Sequence, residues 1–373
     1  MLKLIKNARI VAPEDMGVKD ILIAGEKTEA IKDSIEPVAG ITEVIDASGY
    51  NVTPGLIDQH VHITGAGGKN GFVSMTPGIS AAELISCGTT TVVGLLGTDG
   101  VIRNLESLYA KVRSLEQENL TAYMLTGYFG LDQVTLTGSI SRDMIFIDKV
   151  LGCKTAISDA RSSFPTSTDL LRLLREVYVG GLTAGKKGIL HIHLGALETR
   201  MRILFDLVKK FEFPIEYISP THCGRTKPLF EEAIEFAKMG GMIDISTGGT
   251  KYDAPHRQVL YALEKGVPVD NMTFSSDGNA GMAKKTQEGN LELYKAPIHL
   301  NLQEVIALIK EGGLSPADAF KLITANPAKN LSLPHKGRIA EGYDADFCFF
   351  DDNYQLTQVF SRGKAMMKDT KIL

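Results

Sequence analysis

The sequence has little of what would place a protein in a disulfide-bonded, membrane or nucleic-acid-binding class. Only four of its 373 residues are cysteine, and they are irregularly spaced with no C-x-x-C pair, so we expect buried, reduced thiols. No apolar run approaches the ~18 residues that span a bilayer, and the N-terminus lacks an apolar core long enough for a signal peptide. A formal net charge of -4 provides no basic field for nucleic acid. We therefore expect a cytoplasmic protein that binds neither nucleic acid nor membrane.

Sequence repeats and phosphate-binding motifs are also missing. The chain has no internal repeat of 20–50 residues and no low-complexity tract. The glycine-rich stretch GAGGKNG (65–71) matches neither G-x-G-x-x-G nor a Walker motif. The function must therefore be sought in individual side chains and their spacing.

Both ends of the chain have the pattern of short strands joined by turns. LKLIKNARIV, DILIAGEKTEAI and TEVIDAS at one end, and GRIAEGYDADFCFF and LTQVFSRGKAMMKDTKIL at the other, are rich in β-forming residues and broken by Gly, Pro and Asp. Neither end is long enough to bury a core alone. We therefore predict that residues 1–53 and 335–373 pair into one small β-sandwich domain.

The middle of the chain alternates apolar strands with amphipathic helices. Eight candidate strands occupy 55–63, 89–97, 122–127, 151–158, 188–195, 216–223, 241–247 and 271–277. Strands separated by helices indicate βαβ units and a parallel sheet, and eight such units indicate a closed barrel. We predict an α/β protein with a (β/α)8 TIM-like barrel over residues 54–334. The helix after Ser315 has the pattern of an N-cap followed by Pro316, with Asp318 at the third position.

Polar residues gather at the carboxyl ends of the predicted strands. His60 and His62 stand at i and i+2 in DQHVHI, and this spacing directs both imidazoles to one face of a strand. Lys154 lies inside an otherwise apolar strand, and His193, His222 and Asp277 follow three others. Singly, such residues are more often hydrogen-bonded core or turn residues than ligands. Together at one end of a barrel they favour a zinc site, because imidazole and carboxylate are its usual ligands.

These stretches resemble the amidohydrolase superfamily and, within it, the isoaspartyl (β-aspartyl) dipeptidases. The resemblance is carried by PGLIDQHVHITGAGG, TTTVVGLLGTDG, MLTG, CKTAISDARS, SPTHCGRTKPLFEEAIEFAKMGG and SSDGN, and it extends into the tail ANPAKNLSL…KGRIAEGYDADF. The fold that it implies is a barrel with a β-sandwich built from both termini.

The resemblance also implies roles for the polar residues. Two Zn²⁺ ions would be held by His60 and His62 for the first, His193 and His222 for the second, a carboxylated Lys154 as the bridge, and Asp277 on the first. Asp277 would also act as general base and acid. Burial lowers the pKa of a lysine and supplies the neutral amine that reacts with carbon dioxide. His191 competes with His193, since both share a strand face, and we interpret His191 as a neighbour of the ligands or a core residue.

Substrate contacts follow from the same resemblance. Arg161 and Arg225 match arginines that grip substrate carboxylates, for which a guanidinium is suited by its bidentate geometry. The alternative for each arginine is a surface salt bridge. Thr98 and Gly67 match loop positions that contact the amino-acid end of the substrate.

Three positions depart from the family pattern. Lys69 replaces a glutamate that pairs with the substrate's free α-ammonium, Phe129 replaces a tyrosine that supports the oxyanion, and Gly281 replaces a serine. Lys69 would repel an ammonium, so one hypothesis is that the substrate is an N-acyl or N-carbamoyl acidic amino acid, or a cyclic imide or amide acid. A second hypothesis is that Tyr128 replaces the missing phenol in catalysis.

We therefore predict a binuclear zinc amidohydrolase that cleaves an amide bond of a small anionic substrate, either a β-aspartyl dipeptide or an N-acylated acidic analogue. The alternatives are a cyclic-amide hydrolase, a D-aminoacylase, and a non-catalytic metal- or ligand-binding barrel. We expect a homo-oligomer. The polar segment GNAGMAKKTQEGNLELYKAP after Asp277 has the composition of a loop over the barrel mouth.

Overall fold

The computed structural model describes residues 2–67, 70–285 and 289–373, and within them strands alternate with helices. The strands are β1 (Leu2–Ile10), β2 (Gly17–Ala24), β3 (Lys27–Lys32), β4 (Thr42–Asp46), β5 (Asn51–Pro54), β6 (Leu56–Val61), β7 (Thr89–Gly94), β8 (Thr121–Gly127), β9 (Val150–Ile157), β10 (Ile189–Leu194), β11 (Ile218–Thr221), β12 (Ile243–Ser246), β13 (Met272–Ser275), β14 (Gly281–Lys285), β15 (Leu291–Lys295), β16 (Phe347–Phe350), β17 (Leu356–Ser361), β18 (Lys364–Lys368) and β19 (Lys371–Ile372). The helices are α1 (Ala81–Ile85), α2 (Leu105–Gln117), α3 (Ile140–Phe146), α4 (Ser167–Ala184), α5 (Arg202–Lys209), α6 (Lys227–Lys238), α7 (Pro255–Glu264), α8 (Leu300–Lys310), α9 (Pro316–Lys321) and α10 (Ala325–Leu331).

The eight predicted strands of the middle segment are β6 to β13, and all their pairings are parallel. Six of them form a half-barrel sheet in the order β6-β7-β8-β9-β10-β11, and β12 pairs with β13 in a second sheet. The main-chain N–H of Cys223 donates to Asp244 at 3.1 Å, and that of His62 donates to Gly278 at 2.9 Å. Hydrogen bonds therefore join both edges of the larger sheet to the smaller one.

The helices cover the outer side of these strands through one apolar face each. In α4 the buried side chains include Leu170, Leu173, Leu174 and Val177, which is the i, i+3, i+4, i+7 spacing of an amphipathic helix. Strands β6, β7, β9 and β10 are buried along their whole length, as in a parallel sheet with both faces covered. No helix within the described ranges is long and apolar enough to cross a membrane.

Helix starts follow the local sequence closely. The Ser315 side chain accepts from the backbone N–H of Asp318 at the start of α9, with proline in the first turn, which confirms the cap predicted from the sequence. Reciprocal capping boxes open α1 at Ser80 and α4 at Thr166. These caps fix where each helix leaves the loop that precedes it.

Both chain ends enter one nine-stranded sheet, as the strand patterns led us to expect. Its order is β19-β18-β17-β16-β5-β1-β2-β3, with β4 pairing with β1 in parallel. The sheet has its own hydrophobic core, which includes Ile5, Ile21, Val52, Phe347 and Phe349. The hydrogen bonding is continuous from edge to edge, so the strands form one sheet.

The segment after Asp277 differs from the polar loop expected from its composition. β14 and β15 pair as an antiparallel hairpin with Gly281 opposite Lys295. Residues 286–288, within the connection, lie outside the described residues. The turn-rich composition concealed the alternating strand pattern of the two arms.

Candidate metal centre and substrate pocket

A pocket of about 110 Å³ lies at the carboxyl ends of the parallel strands. This is the end of a parallel barrel where side chains from several strands converge. The predicted residues that line it are His60, His62, His193, His222, Arg225 and Asp277. Five of these are proposed metal ligands, and they come from or directly follow β6, β10, β11 and β13.

Asp277 lies at the centre of the group. Its Oδ1 is 3.4 Å from Nε2 of His60 and 3.3 Å from Nε2 of His62. Ligand atoms of His60, His222 and Asp277 all lie within 4.8 Å of one another. This is the spacing of a possible metal-binding site.

Lys154 reaches the same point from β9. Its side chain is fully buried, and Nζ lies 3.5 Å from both ring nitrogens of His60. Burial lowers the pKa of Lys154 from 10.5 to about 7, against the opposing attraction of Asp277 and Asp244. A substantial fraction of this amine is therefore neutral near pH 7, and a neutral amine is a nucleophile.

Burial favours the neutral, metal-binding form of His60, His193 and His222. Burial, then the charge of Lys154, holds the pKa of His60 well below its ordinary value. Burial also lowers the pKa of His222 and brings that of His193 to about 3. Neutral imidazole is the ligand form of histidine.

The backbone at this end of the barrel is strained. His222 and Asp277 have positive φ angles of 63° and 49°, and Ser158 directly after β9 has 55°. Left-handed backbone is uncommon outside glycine and collects at functional sites. Both His222 and Asp277, which have this backbone, line the pocket.

The donor set fits a divalent cation. Neutral imidazoles and a carboxylate are the ligands that zinc prefers. Nε2 of His60 and Nε2 of His62 both face Oδ1 of Asp277, at 3.4 and 3.3 Å. The residues present therefore fit a metal ion that takes nitrogen and oxygen donors.

His191, the competitor of His193, lies deeper in the strands. Its Nε2 is 3.0 Å from Nδ1 of His60, and its own Nδ1 is 3.1 Å from Oγ of Ser219. It is absent from the pocket lining. His191 thus contacts the proposed ligand His60 at Nδ1, while Nε2 of His60 faces Asp277.

Asp159 is a residue of this site that the sequence reasoning missed. Its Oδ2 is 3.0 Å from Nε2 of His193, and its two oxygens accept from Nε and Nη2 of Arg161 at 2.8 and 2.5 Å. Burial raises its pKa, but hydrogen bonds from Arg161 and His193 outweigh this and hold the pKa well below its usual range. The signal was an acid two residues before Arg161, at the end of a predicted strand.

The two predicted carboxylate-binding arginines differ in their engagement. Both line the pocket. Arg161 is held by Asp159, whereas Arg225 donates only its Nε, to the carbonyl of Leu194 at 3.0 Å, among the described residues. Burial lowers the pKa of Arg225, but an arginine remains charged. Its terminal N–H groups are therefore placed to receive an anion.

Gly67 and Thr98 also line the pocket. Gly67 has φ of 122°, and a Cβ there would collide with the carbonyl of Ser74, so only glycine fits. A Cβ at Gly281 would lie 3.1 Å from Cα of Gly67. The close approach of these two glycines gives a physical reason for the departure from serine at position 281.

The two aromatic residues after β8, Tyr128 and Phe129, have different surroundings. Phe129 lines the pocket, with its ring centroid 4.3 Å from that of His193. Tyr128 is absent from the lining, and its ring packs against Gly100 and Gly130. The proposed catalytic role of Tyr128 stays a prediction that this geometry does not support. Lys69, on which the substrate hypothesis rested, lies outside the described residues.

Comparisons with known proteins agree with this geometry. The model of the amidohydrolase family matches residues 230–370. The dihydroorotase of Streptococcus thermophilus (strain CNRZ 1066) is 25% identical over 398 residues, covering 94% of this chain and 90% of that protein.

Solved structures give a stronger likeness. The β-aspartyl dipeptidase of Fervidobacterium islandicum AW-1, crystallised with the dipeptide β-Asp-Leu, has a TM-score of 0.92 and 41% identity, covering 100% of this chain and 99% of that one. The dihydropyrimidinase of Brevibacillus agri NCHU1002 has a TM-score of 0.69 and 17% identity, covering 100% and 96%, which is a likeness of fold alone.

Proposed function

This chain belongs to the amidohydrolase superfamily and, within it, to the β-aspartyl dipeptidase family, and from that membership we propose that it hydrolyses small β-aspartyl dipeptides with two bound zinc ions. The observation that carries the proposal is the convergence of Asp277, four imidazoles and the buried amine of Lys154 beside two arginines. The amide cleaved is the one between the aspartate side-chain carboxyl and the amine of the second amino acid.

The fold is interpreted accordingly. The half-barrel sheet and the β12–β13 sheet are two parts of one closed (β/α)8 barrel over residues 54–334, joined through the Cys223–Asp244 and His62–Gly278 hydrogen bonds. The separate core of the nine-stranded sheet supports the proposal that residues 1–53 and 335–373 form a domain of their own, and its folding into a β-sandwich stays a prediction. A homo-oligomeric state stays a prediction, which light scattering of the purified protein would check.

Residues at the strand ends would hold the metal ions. His60, His62 and Asp277 would bind one ion, His193 and His222 the other, and a carboxyl group on Nζ of Lys154 would bridge them. When bound, the ions would polarise the scissile carbonyl and lower the pKa of the attacking water, so that it would lose its proton more easily. Carboxylation turns an ammonium, which would repel two cations, into an anion with two oxygens.

Asp277 moves the proton. Its carboxylate accepts a proton from the attacking water and donates it to the nitrogen of the leaving amino acid, so that the amine departs neutral. His60 and His62, both within 3.4 Å of Oδ1, hold the carboxylate in place. Arg225 and Arg161 bind substrate carboxylates, and Gly67 lets the backbone of its loop approach the substrate closely.

The test combines metal analysis with a substrate panel. We expect about two zinc ions per chain and turnover of β-Asp-Leu, with α-Asp-Leu, dihydroorotate and hydantoin inert. N-acetyl-β-Asp-Leu tests the charge at Lys69 directly: preferred turnover of this blocked substrate would replace the free-amine substrate with an N-acylated one. A protein that holds zinc and hydrolyses none of these amides would contradict the proposal and favour a binding protein.

A further inference from the structure

A second cavity adjoins the catalytic pocket at the barrel mouth. We call it the apolar groove; it has a volume of about 480 Å³, and its distinctive lining residues are Phe72, Met75 and Ile102. It shares Gly67, Thr98, Asp99 and Arg161 with the pocket. The two cavities are therefore neighbours at the barrel mouth, close enough for two parts of one small ligand to occupy them.

The charged residues of the apolar groove are already engaged. Asp99 accepts from the backbone N–H groups of Val101 and Ile102, both at 2.9 Å, and of Arg103 at 3.2 Å. Arg161 is held in the bidentate pair with Asp159, and the proposed function assigns its remaining N–H groups to a substrate carboxylate. What the groove offers a ligand is thus mainly its hydrocarbon surface.

That surface is exposed although it is apolar. Phe72 is 79% exposed and Ile102 is 53% exposed. They belong to separate segments, the short 3-10 helix Phe72–Ser74 and the loop after β7. Exposed apolar side chains gathered beside a binding site commonly mark a contact with ligand, because their exposure costs free energy until they are covered.

We propose that the apolar groove receives the side chain of the leaving amino acid and makes the enzyme selective for β-aspartyl dipeptides with a large apolar second residue. This rests on the proposed function. In such a dipeptide the aspartyl half carries an ammonium and a carboxylate, and the second residue carries the other carboxylate. The side chain of the second residue is the one part that can be apolar, so it is the part that a groove of this chemistry fits.

The test is a substrate series in which only the second residue changes: β-Asp-Gly, β-Asp-Ala, β-Asp-Leu, β-Asp-Phe and β-Asp-Lys. We expect kcat/KM to rise about tenfold from the glycine to the leucine and phenylalanine substrates, and to be low for lysine. The variants Phe72→Ser and Ile102→Ser should each reduce the leucine-to-glycine ratio by about threefold while leaving turnover of β-Asp-Gly unchanged.

Val101→Ser is the matched control. Val101 is 85% exposed, its backbone N–H is bound by the same Asp99 oxygen as that of Ile102, and it does not line the groove. Its selectivity should equal that of the wild type. Turnover of the series with equal kcat/KM, or a ratio unchanged in both groove variants, overturns this inference and leaves the proposed function standing. Failure to cleave any β-aspartyl dipeptide overturns both.

Discussion

Asp244 on β12 and Asp277 just after β13 are buried or nearly buried carboxylates on adjacent strands, but their surroundings differ. Asp244 accepts four hydrogen bonds, from Gln59 and Thr273 on one oxygen and from Thr221 and Ser275 on the other, at 2.5–2.9 Å. Oδ1 of Asp277 instead lies 3.4 Å from Nε2 of His60, whose pKa burial lowers, and 3.3 Å from Nε2 of His62.

This comparison separates a buried carboxylate with a structural role from one with a proposed catalytic role. The donors around Asp244 come from three strands: Gln59 from β6, Thr221 from β11, and Thr273 and Ser275 from β13. This carboxylate therefore ties the smaller sheet to both edges of the half-barrel. Its lone pairs are used up, and it has none to offer a ligand. Burial alone thus does not mark a catalytic group; what distinguishes Asp277 is its position beside imidazoles at the carboxyl ends of the barrel strands.

The largest effect should come from Lys154→Ala. Removing the amine removes the proposed bridge between the metal ions, so we expect activity to fall by about 10⁴-fold and zinc content to fall with it. Zinc stoichiometry and 13C NMR after bicarbonate labelling measure this. Lys187→Ala is the control, since that lysine also has a pKa lowered by burial, to about 8, but binds the carbonyl of Asn330 at the opposite end of β10. Equal activity of both variants would contradict the bridge.

Asp277→Asn should reduce kcat by about 10³-fold, because an amide cannot accept the proton. Asparagine tolerates the left-handed backbone at this position, so the melting temperature should stay close to that of the wild type. Steady-state kinetics and thermal unfolding measure the two effects. Retained activity would remove Asp277 from the proton transfer.

Arg225→Met should reduce kcat/KM by about a hundredfold, mainly through KM, because a charge-assisted pair with a substrate carboxylate is lost. Arg175→Met, an exposed arginine of α4 paired with Glu176, is the control and should behave as the wild type. A change in kcat with KM untouched would argue against carboxylate binding by Arg225.

Asp159→Asn should weaken zinc retention by about 10- to 100-fold, as expected when the carboxylate that orients a metal-binding imidazole is lost. It should also raise KM, because Arg161 loses its bidentate partner. Chelator competition gives the first quantity and kinetics the second. Unchanged zinc affinity would show that the contact with His193 has no bearing on the metal. Asp169→Asn in the α4 capping box is a suitable control.

Asp244→Asn should have the smallest effect on activity and a clear one on stability. Asparagine brings an N–H group toward donors, so we expect the free energy of unfolding to fall by about 2 kcal/mol while kcat changes less than tenfold. Urea unfolding measures the change in stability, and steady-state kinetics measures the change in kcat. A large loss of kcat with full stability would mean that Asp244 takes part in the chemistry.

The sequence predicted the parts of this site that depend on local spacing. The i, i+2 step of His60 and His62 on a strand, the cap at Ser315 and the alternation of eight strands with helices needed only neighbouring residues. Asp159 was missed because its contact with His193 joins the loop after β9 to β10, and no pattern within either stretch records that meeting.

Local patterns could not decide which of two adjacent aromatic residues lines the pocket. Tyr128 and Phe129 follow β8, and which ring faces the pocket depends on the backbone at the end of that strand, where Gly127 has φ of 80°. The hairpin after Asp277 was hidden by glycine and lysine in its strands. The apolar groove joins Phe72 with Ile102, thirty positions along the chain, so its existence depends on loop packing alone.

By itself the sequence determined the secondary-structure order, the family resemblance and the residue types available for metal chemistry, because strand and helix periods and short motifs are local properties. Tertiary structure alone decided which carboxylate is saturated by hydrogen bonds and which lies among imidazoles, which aromatic ring lines the pocket, and that an apolar surface adjoins it. Those outcomes depend on distances between strands and loops far apart in the chain, which are set when the sheets come together.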